Sequence, residues 1–235
     1  MRKRRLLPRV VLPLLVVGAV AFGFRQGLVP AWLSPLPAID LSTSNVLLVD
    51  WRLAEIRYNP GLCRAILQQP QIEARPIPDN PLRNGCGWVN AVSLSKAGDI
   101  HSGYDKVTCE AAVALSLWLI QDVQPLAQEI LGTRVTGIRS FGSYSCRNII
   151  GNPFWRKTRS EHATANAVDI GGFSLADGRQ ISVERSWRGS GKEAEFLHAV
   201  HSRACRYFRV ALGPDYNAAH SNHFHLDRGF LSRCK

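Results

Sequence analysis

The chain has 235 residues, 46% of them apolar, enough for one domain with a sizeable core plus a short appendage. Its formal charge of +11 falls to +5 once the six Lys and Arg of residues 1–30, a stretch without acids, are set aside. The remainder is mildly basic and has no Lys/Arg stripe interleaved with aromatics, which excludes a nucleic-acid footprint and leaves at most a weak attraction to an anionic wall polymer.

The appendage comes first. MRKRRLLPR is strongly basic, and Val10 to Phe24 then carries no charge before Arg25. That run is shorter than the roughly 20 residues of a membrane span. Leu6, Leu7, Leu28 and Val29 extend the apolar zone, however, and Arg9 and Arg25 can snorkel to the interfaces. Residues 1–29 therefore read as a membrane segment. Ala19-Val20-Ala21 offers the alternative of a cleaved signal peptide; an uncleaved anchor is favoured because apolar residues continue past that site. Both readings export the rest of the chain, since the basic end stays cytoplasmic. The expected location is the periplasm, tethered to the inner membrane or released from it.

Residues 30–54, opening on PAWLSPLPAIDLSTS, read as a semi-extended linker that lifts the domain of residues 55–235 off the membrane. Six Cys follow, at 63, 86, 109, 146, 205 and 234. None forms a C-x-x-C pair, which argues against a thiolate zinc site or a thioredoxin-like motif. An even count in an exported chain points to disulfides. The expected pairing is the local one: Cys63–Cys86, Cys109–Cys146 and Cys205–Cys234.

Thr108 to Leu131 carries helix formers and an apolar stripe through Ala112, Leu115, Leu119 and Val123. Pro125 must kink it or start a second helix, and Gly132 stops it. Arg134 to Arg139 looks like a strand. Ile170 to Leu175 and Gln180 to Glu184 flank Ala-Asp-Gly-Arg, a hairpin signal with Asp-Gly at its tip. Lys192 to Phe208 is an amphipathic helix with Leu197, Val200, Ala204 and Phe208 inward. His198 and His201 read as its ordinary surface, and His101 as part of a Gly/Asp/Ser-rich loop. The pattern is α+β: a small antiparallel sheet carrying the site, with helices packed on one face.

Two stretches carry the chemistry. SEHATANAVDIGGF (160–173) sets His162 and Asp169 seven residues apart, with β-prone Val168 and Ile170 around the acid. HSNHFHLD (220–227) holds three of the chain's seven His. Period 2 puts His223 and His225 on one face of a strand, Phe224 and Leu226 on the other. Two such strands side by side bring His162, Asp169 and His225 to one point. Two neutral imidazoles and a carboxylate are a familiar ligand set for catalytic zinc, the fourth position going to water. His223, two residues from His225, is the first candidate base; His220 is the other, or a partner to a ligand. Ser160 could orient His162, bind substrate or cap a turn. Asp227 could hold a ligand His in its tautomer or pair with Arg228.

S-x-H-x(6)-D followed by H-x-H resembles the LAS group of zinc peptidases, which includes the D-alanyl-D-alanine carboxypeptidases and lysostaphin-like wall endopeptidases. SYSCRN (143–148), SEHATANAVDIGGF and LGPDYNAAHSNHFHLD (212–227) resemble, more closely, the bacterial extensin-like C-terminal domain family, over roughly residues 55–235. The resemblance implies an exported zinc peptidase that cuts peptide bonds of peptidoglycan, D,D- or L,D-specific. In it the second His of H-x-H binds Zn²⁺ and the first assists catalysis. Arg147, in SYSCRN, is the family-matched arginine for developing negative charge, and Arg139, in TGIRS, resembles the substrate-carboxylate arginine of the carboxypeptidases. Where some relatives carry a Glu three residues before the last ligand this chain has Asn222, so acid–base work passes to His. A zinc-binding wall module without activity, and a zinc amidase of the wall, are the alternatives. No Ser-Pro-rich repeat supports a structural wall glycoprotein.

Overall fold

In the computed structural model, residues 7–43 and 47–235 are described, with side chains from residue 11 onward. Residues 1–6, and residues 44–46 of the expected linker, lie outside the described residues. The strands are β1 (Ile72–Pro76), β2 (Asn80–Arg83), β3 (Cys86–Trp88), β4 (Ala91–Ala97), β5 (Ile100–Thr108), β6 (Val135–Gly142), β7 (Ala167–Leu175), β8 (Gln180–Ser182), β9 (Val210–Leu212), β10 (Phe224–Asp227) and β11 (Arg233–Cys234). Nine of them form one sheet in the order β1-β4-β5-β6-β7-β10-β9-β11, with β8 paired to β7; β2 and β3 make a separate ribbon. Because β5–β6 and β9–β11 run parallel, the sheet is mixed. The α+β class stands, but the small antiparallel sheet expected from the sequence is a large mixed one. Its extra strands β1, β4 and β5 escaped notice because register shifts break their alternation. His101 sits on β5, in a strand rather than a loop.

The helices are α1 (Leu7–Gln26), α2 (Val49–Ala54), α3 (Pro60–Leu67), α4 (Cys109–Trp118), α5 (Gln124–Leu126), α6 (Val183–Ser186) and α7 (Lys192–Ala204). Thr108 caps α4 by accepting from the Ala111 N–H at 3.3 Å. All ten residues of α4 are buried, so it is apolar all round rather than striped, as a helix enclosed by other elements must be. Instead of a break at Pro125, π-helical turns at Leu119–Val123 and Ala127–Leu131 flank α5. The wider turn accommodates a residue that has no N–H to donate. Gly132, at φ +70°, ends the helix as expected.

The β7–β8 hairpin forms, with Gly178 at φ +89° in its tip. β8 ends at Ser182, where α6 starts. In β7, Arg139 pairs with Gly172 and Ser140 with Ile170, which leaves Gly171 as an extra residue, a bulge. The bulge reverses the alternation, so Ile170 and Phe173 both reach the core. There Phe173 meets Trp118 of α4 and Phe196 of α7, and the Trp118 indole N–H donates to the Val200 carbonyl at 2.9 Å. Phe224 of β10 packs on the same side, against Trp187 and His201. His201 is thus buried, not surface as expected; its ring fills the space left by Gly213, with Nε2 unpaired.

Among the described residues no helix is long and apolar enough to cross a membrane. α1 spans 20 residues but carries Arg25 in its last turn, so its uncharged run stays short. Its end lies on the domain: Phe24 stacks on Trp51 of α2, and Arg25 pairs with Asp50 at 3.4 Å. Gly27, at φ +70°, allows this approach, since a Cβ would stand 2.1 Å from the Ala54 carbonyl oxygen. The expected linker also lies against the domain. Ile39 and Leu41 are buried, and Gln69 bonds the backbone of both.

Three disulfides form: Cys63–Cys109, Cys86–Cys146 and Cys205–Cys234. Only the last matches the expected set. Cys63, on α3, faces the start of α4. The β2–β3 ribbon carries Cys86 away to the loop that holds Cys146, so nearness in sequence was the wrong guide.

Candidate metal centre

β10 pairs with β7 so that His225 stands opposite Asp169 and Phe224 opposite Ile170. Phe224 and Ile170 are core, so period 2 turns His225 and Asp169 to the other face. His162 arrives from the short 3₁₀ turn Glu161–Thr164, whose cap Ser160 accepts from the His162 N–H at 3.4 Å. Ser160 thus caps the turn, and it also lines the cleft beside the cluster. Tyr104 of β5 donates to the Asp169 backbone carbonyl at 2.9 Å and ties the acid's strand across the sheet.

The three side chains converge with one ligand atom each, all within 4.8 Å of one another. His162 Nε2 lies 3.0 Å from His225 Nδ1 and 3.1 Å from Asp169 Oδ2; His225 Nδ1 lies 3.0 Å from Asp169 Oδ1. His162 Nδ1 is 3.0 Å from the Ser143 carbonyl, to which it can only donate, so its Nε2 presents a lone pair. His225 Nε2 is 2.9 Å from Asp227 Oδ2; when it donates there, Nδ1 presents a second lone pair. Two imidazole lone pairs 3.0 Å apart repel unless a proton or a cation stands between them. Around tetrahedral zinc, with ligands at about 2.1 Å, donor atoms are about 3.4 Å apart. The donors, their spacing and the outer contacts of both rings fit such an ion.

Without a cation the cluster draws in a proton. Burial alone would lower the His225 pKa, but hydrogen bonds to Asp169 and Asp227 outweigh it and raise it to about 10. Burial raises the Asp169 pKa, and the two imidazoles more than reverse this, holding it far below the carboxylate range. An ion at the cluster would therefore displace a proton from His225.

His223 precedes β10, with Nε2 3.7 Å from Asp169 Oδ1 and Nδ1 2.8 Å from Asn222 Oδ1. His220 places Nδ1 2.7 Å from Asn217 Oδ1, and its ring stands 5.4 Å from that of His223 and 5.7 Å from that of His225. Each Nδ1–H donates to its Asn, so each Nε2 is left as an acceptor. Burial, then the neighbouring His225 and His223, lower the His220 pKa to about 4. For His223 burial lowers the pKa and Asp169 offsets part of the effect.

A cleft of about 510 Å³ opens beside the cluster, lined by His220, His225, Asp227, Arg147 and Tyr216 among others. Arg139 is not among its lining residues. Its guanidinium lies 5.1 Å over the ring of Phe141, which covers Gly171 and stands 5.9 Å from the His223 ring. Asp227 turns to His225 and also accepts from the Gly229 N–H at 2.8 Å, while Arg228 pairs with Asp50 and Glu110 instead. His198 is exposed on α7, remote from these residues, and His101 is exposed on β5. The sequence reading missed the Ser143 carbonyl, Asn217 and Tyr104. A backbone acceptor has no side-chain signature, and a lone Asn or Tyr has no spacing that marks it.

The family described as "Extensin-like protein C-terminus" matches residues 61–235. No curated protein and no solved structure matches the chain.

Proposed function

The chain belongs to the extensin-like protein C-terminus family, and we propose that its His162–Asp169–His225 cluster holds one zinc ion for the hydrolysis of peptide bonds in peptidoglycan stem peptides or cross-links. The observation that carries the reading is two imidazole nitrogens and a carboxylate oxygen converging on one point beside an open cleft. The motif resemblance to LAS-type zinc peptidases adds the substrate. Export to the periplasm is part of the proposal, supported by the three disulfides.

Zinc held there supplies a Lewis acid and a nucleophile available near neutral pH. The protein's own part is positional. Ser143 and Asp227 fix the two imidazoles in the tautomers that face the ion. His223 accepts a proton at Nε2 and returns it to the leaving amine, with Asn222 holding its other nitrogen. Asn222 thus supports the base at the position where some relatives carry a Glu. His220, held by Asn217, is the nearest alternate base. Arg147, on the cleft wall, offers a fork of donors to negative charge that develops on the substrate.

Zinc content and wall-peptide hydrolysis, measured side by side on three proteins, test the proposal. The parent is expected to carry about one zinc and to release peptide fragments identifiable by mass. His223→Ala should keep the metal and lose about 10²–10⁴-fold in turnover. His225→Ala should lose both. A zinc-loaded parent that cuts nothing in purified wall would leave only a zinc-binding wall module, and release at the sugar–peptide junction would make it an amidase. A parent without zinc would overturn the metal assignment itself.

A further inference from the structure

Three guanidinium groups stand on the walls of the cleft: Arg147, Arg159 and Arg233. None has a carboxylate partner among the described residues. Arg147 Nη1 reaches only the Asn148 carbonyl, at 3.4 Å. Arg159 donates to the Asn84 carbonyl and to Asn148 Oδ1, both at 3.0 Å, and Arg233 lies 5.5 Å over the Tyr216 ring. Arg57, Arg209 and Arg228, by contrast, are each matched with an acid. Neither of the two carboxylates that line the cleft is ion-paired with these arginines. Asp227 is committed to His225 and Gly229, and Glu161 accepts from the Asn166 amide at 2.9 Å. Apolar side chains line it as well: Trp155, Phe230 and Leu231, with Phe230 62% exposed. Unmatched positive charge set in an apolar cleft is complementary to a ligand that carries carboxylates on a small apolar frame.

We propose that this cleft binds an anionic peptide, with its carboxylates on Arg147, Arg159 and Arg233 and its apolar groups against Trp155, Phe230 and Leu231, so that substrate reaches the metal cluster from the Asp227 side. That the peptide is a wall stem peptide rests on the function proposed above; the charge and polarity of the ligand do not. The site therefore selects for free carboxylates rather than for peptide length.

The test is a binding titration on full-length, zinc-loaded protein in the His223→Ala background, which slows turnover. The probes are a synthetic stem pentapeptide with free carboxylates and the same peptide with every carboxylate amidated. The free peptide should bind more tightly. Arg147→Gln, Arg159→Gln and Arg233→Gln should each weaken it by about 10–100-fold, the worth of a hydrogen bond to a charged group, and leave the amide's affinity unchanged. Arg134→Gln, an exposed arginine paired with Asp99 away from the cleft, should change neither. Should the His223 background not fold, the parent stripped of zinc by a chelator gives the same comparison. Equal affinity for both probes overturns the inference, and so does a preference for carboxylates that survives all three substitutions. Hydrolysis by the parent separates the two readings. Selective binding without cleavage keeps the cleft and removes the peptidase, whereas cleavage without selectivity does the reverse.

Discussion

Each ring nitrogen of His225 faces a carboxylate, Asp169 through Nδ1 and Asp227 through Nε2. The first contact sits inside the cluster and the second lies behind the ring, where it fixes tautomer and orientation. Removing the outer partner of a ligating imidazole typically lowers metal affinity by about 10–100-fold. Asp227→Ala is therefore expected to need that much more free zinc for half-saturation, read by competition with a chelator. Unchanged affinity would mean that Asp227 serves only the Gly229 turn. His201 makes a different kind of residue-scale prediction. Burial, more than the neighbouring His198, lowers its pKa to about 4, while the Leu212 backbone and Asp215 pull the other way; the rings of Trp187 and Phe224 enclose it. Its folded pKa is below the unfolded value of about 6.5, so the unfolded chain takes the proton first as pH falls. Stability should drop between pH 6.5 and 4 by up to about 3 kcal/mol from this group. Denaturation curves at pH 7 and pH 4.5, with chelator present, should show a smaller loss for His201→Leu than for the parent. Equal losses would place the pH sensitivity elsewhere.

The Gly171-Gly172 pair shows how an element serves the site. Gly171 lies under the Phe141 ring, and Gly172 approaches the Ile181 carbonyl so closely that a Cβ would stand 2.1 Å from its oxygen. The bulge lets one strand present Asp169 to the cluster while Ile170 and Phe173 both reach the helices. Gly172→Ala must push β8 away from β7, an overpacking expected to destabilise by about 1–3 kcal/mol. A denaturation midpoint equal to the parent's would show that β8 yields freely. The pair stood in the quoted motif without a reason; only the strand register supplies one. The hairpin after it was legible because Asp-Gly is a local turn signal. The π turns around Pro125 were not. A proline announces that the helical ladder loses a donor, while the packing around the helix decides how the ladder is mended.

Across the molecule, a buried ion network joins segments far apart in sequence. Arg228, 1% exposed, pairs with Glu110 at 2.9 Å and Asp50 at 2.6 Å; Arg57 bonds Glu110 at 2.6 Å, and Arg209 bonds Asp50 at 2.8 Å. Arg209 also bonds the Arg25 carbonyl, and Arg25 donates to Ser232 Oγ at 2.7 Å. The end of α1, the start of α4 and the C-terminal wall of the cleft are thereby tied together. Arg228→Ala would leave Glu110 with one partner in a buried place, an expected cost of about 3–5 kcal/mol. Chemical denaturation of parent and variant reads this directly, and a loss below about 1 kcal/mol would show that water or rearranged arginines take over the pairing.

The sequence by itself determined what is local. Alternation across Phe224–Asp227 assigned His225 to one face and the core residues to the other, and β-prone residues placed Asp169 on a strand. Two such strands, each with one apolar face to bury, have few ways to pair, so the His162–Asp169–His225 triangle could be read before any coordinates. Tertiary structure decided what depends on distant neighbours: the size and mixed pairing of the sheet, two of the three disulfides, the burial of His201, and the division of Arg147 to the cleft and Arg139 to the Phe141 ring. Periodicity reports which face of an element is apolar. It is silent on which element covers that face, because that choice lies in contacts between residues tens to hundreds of positions apart.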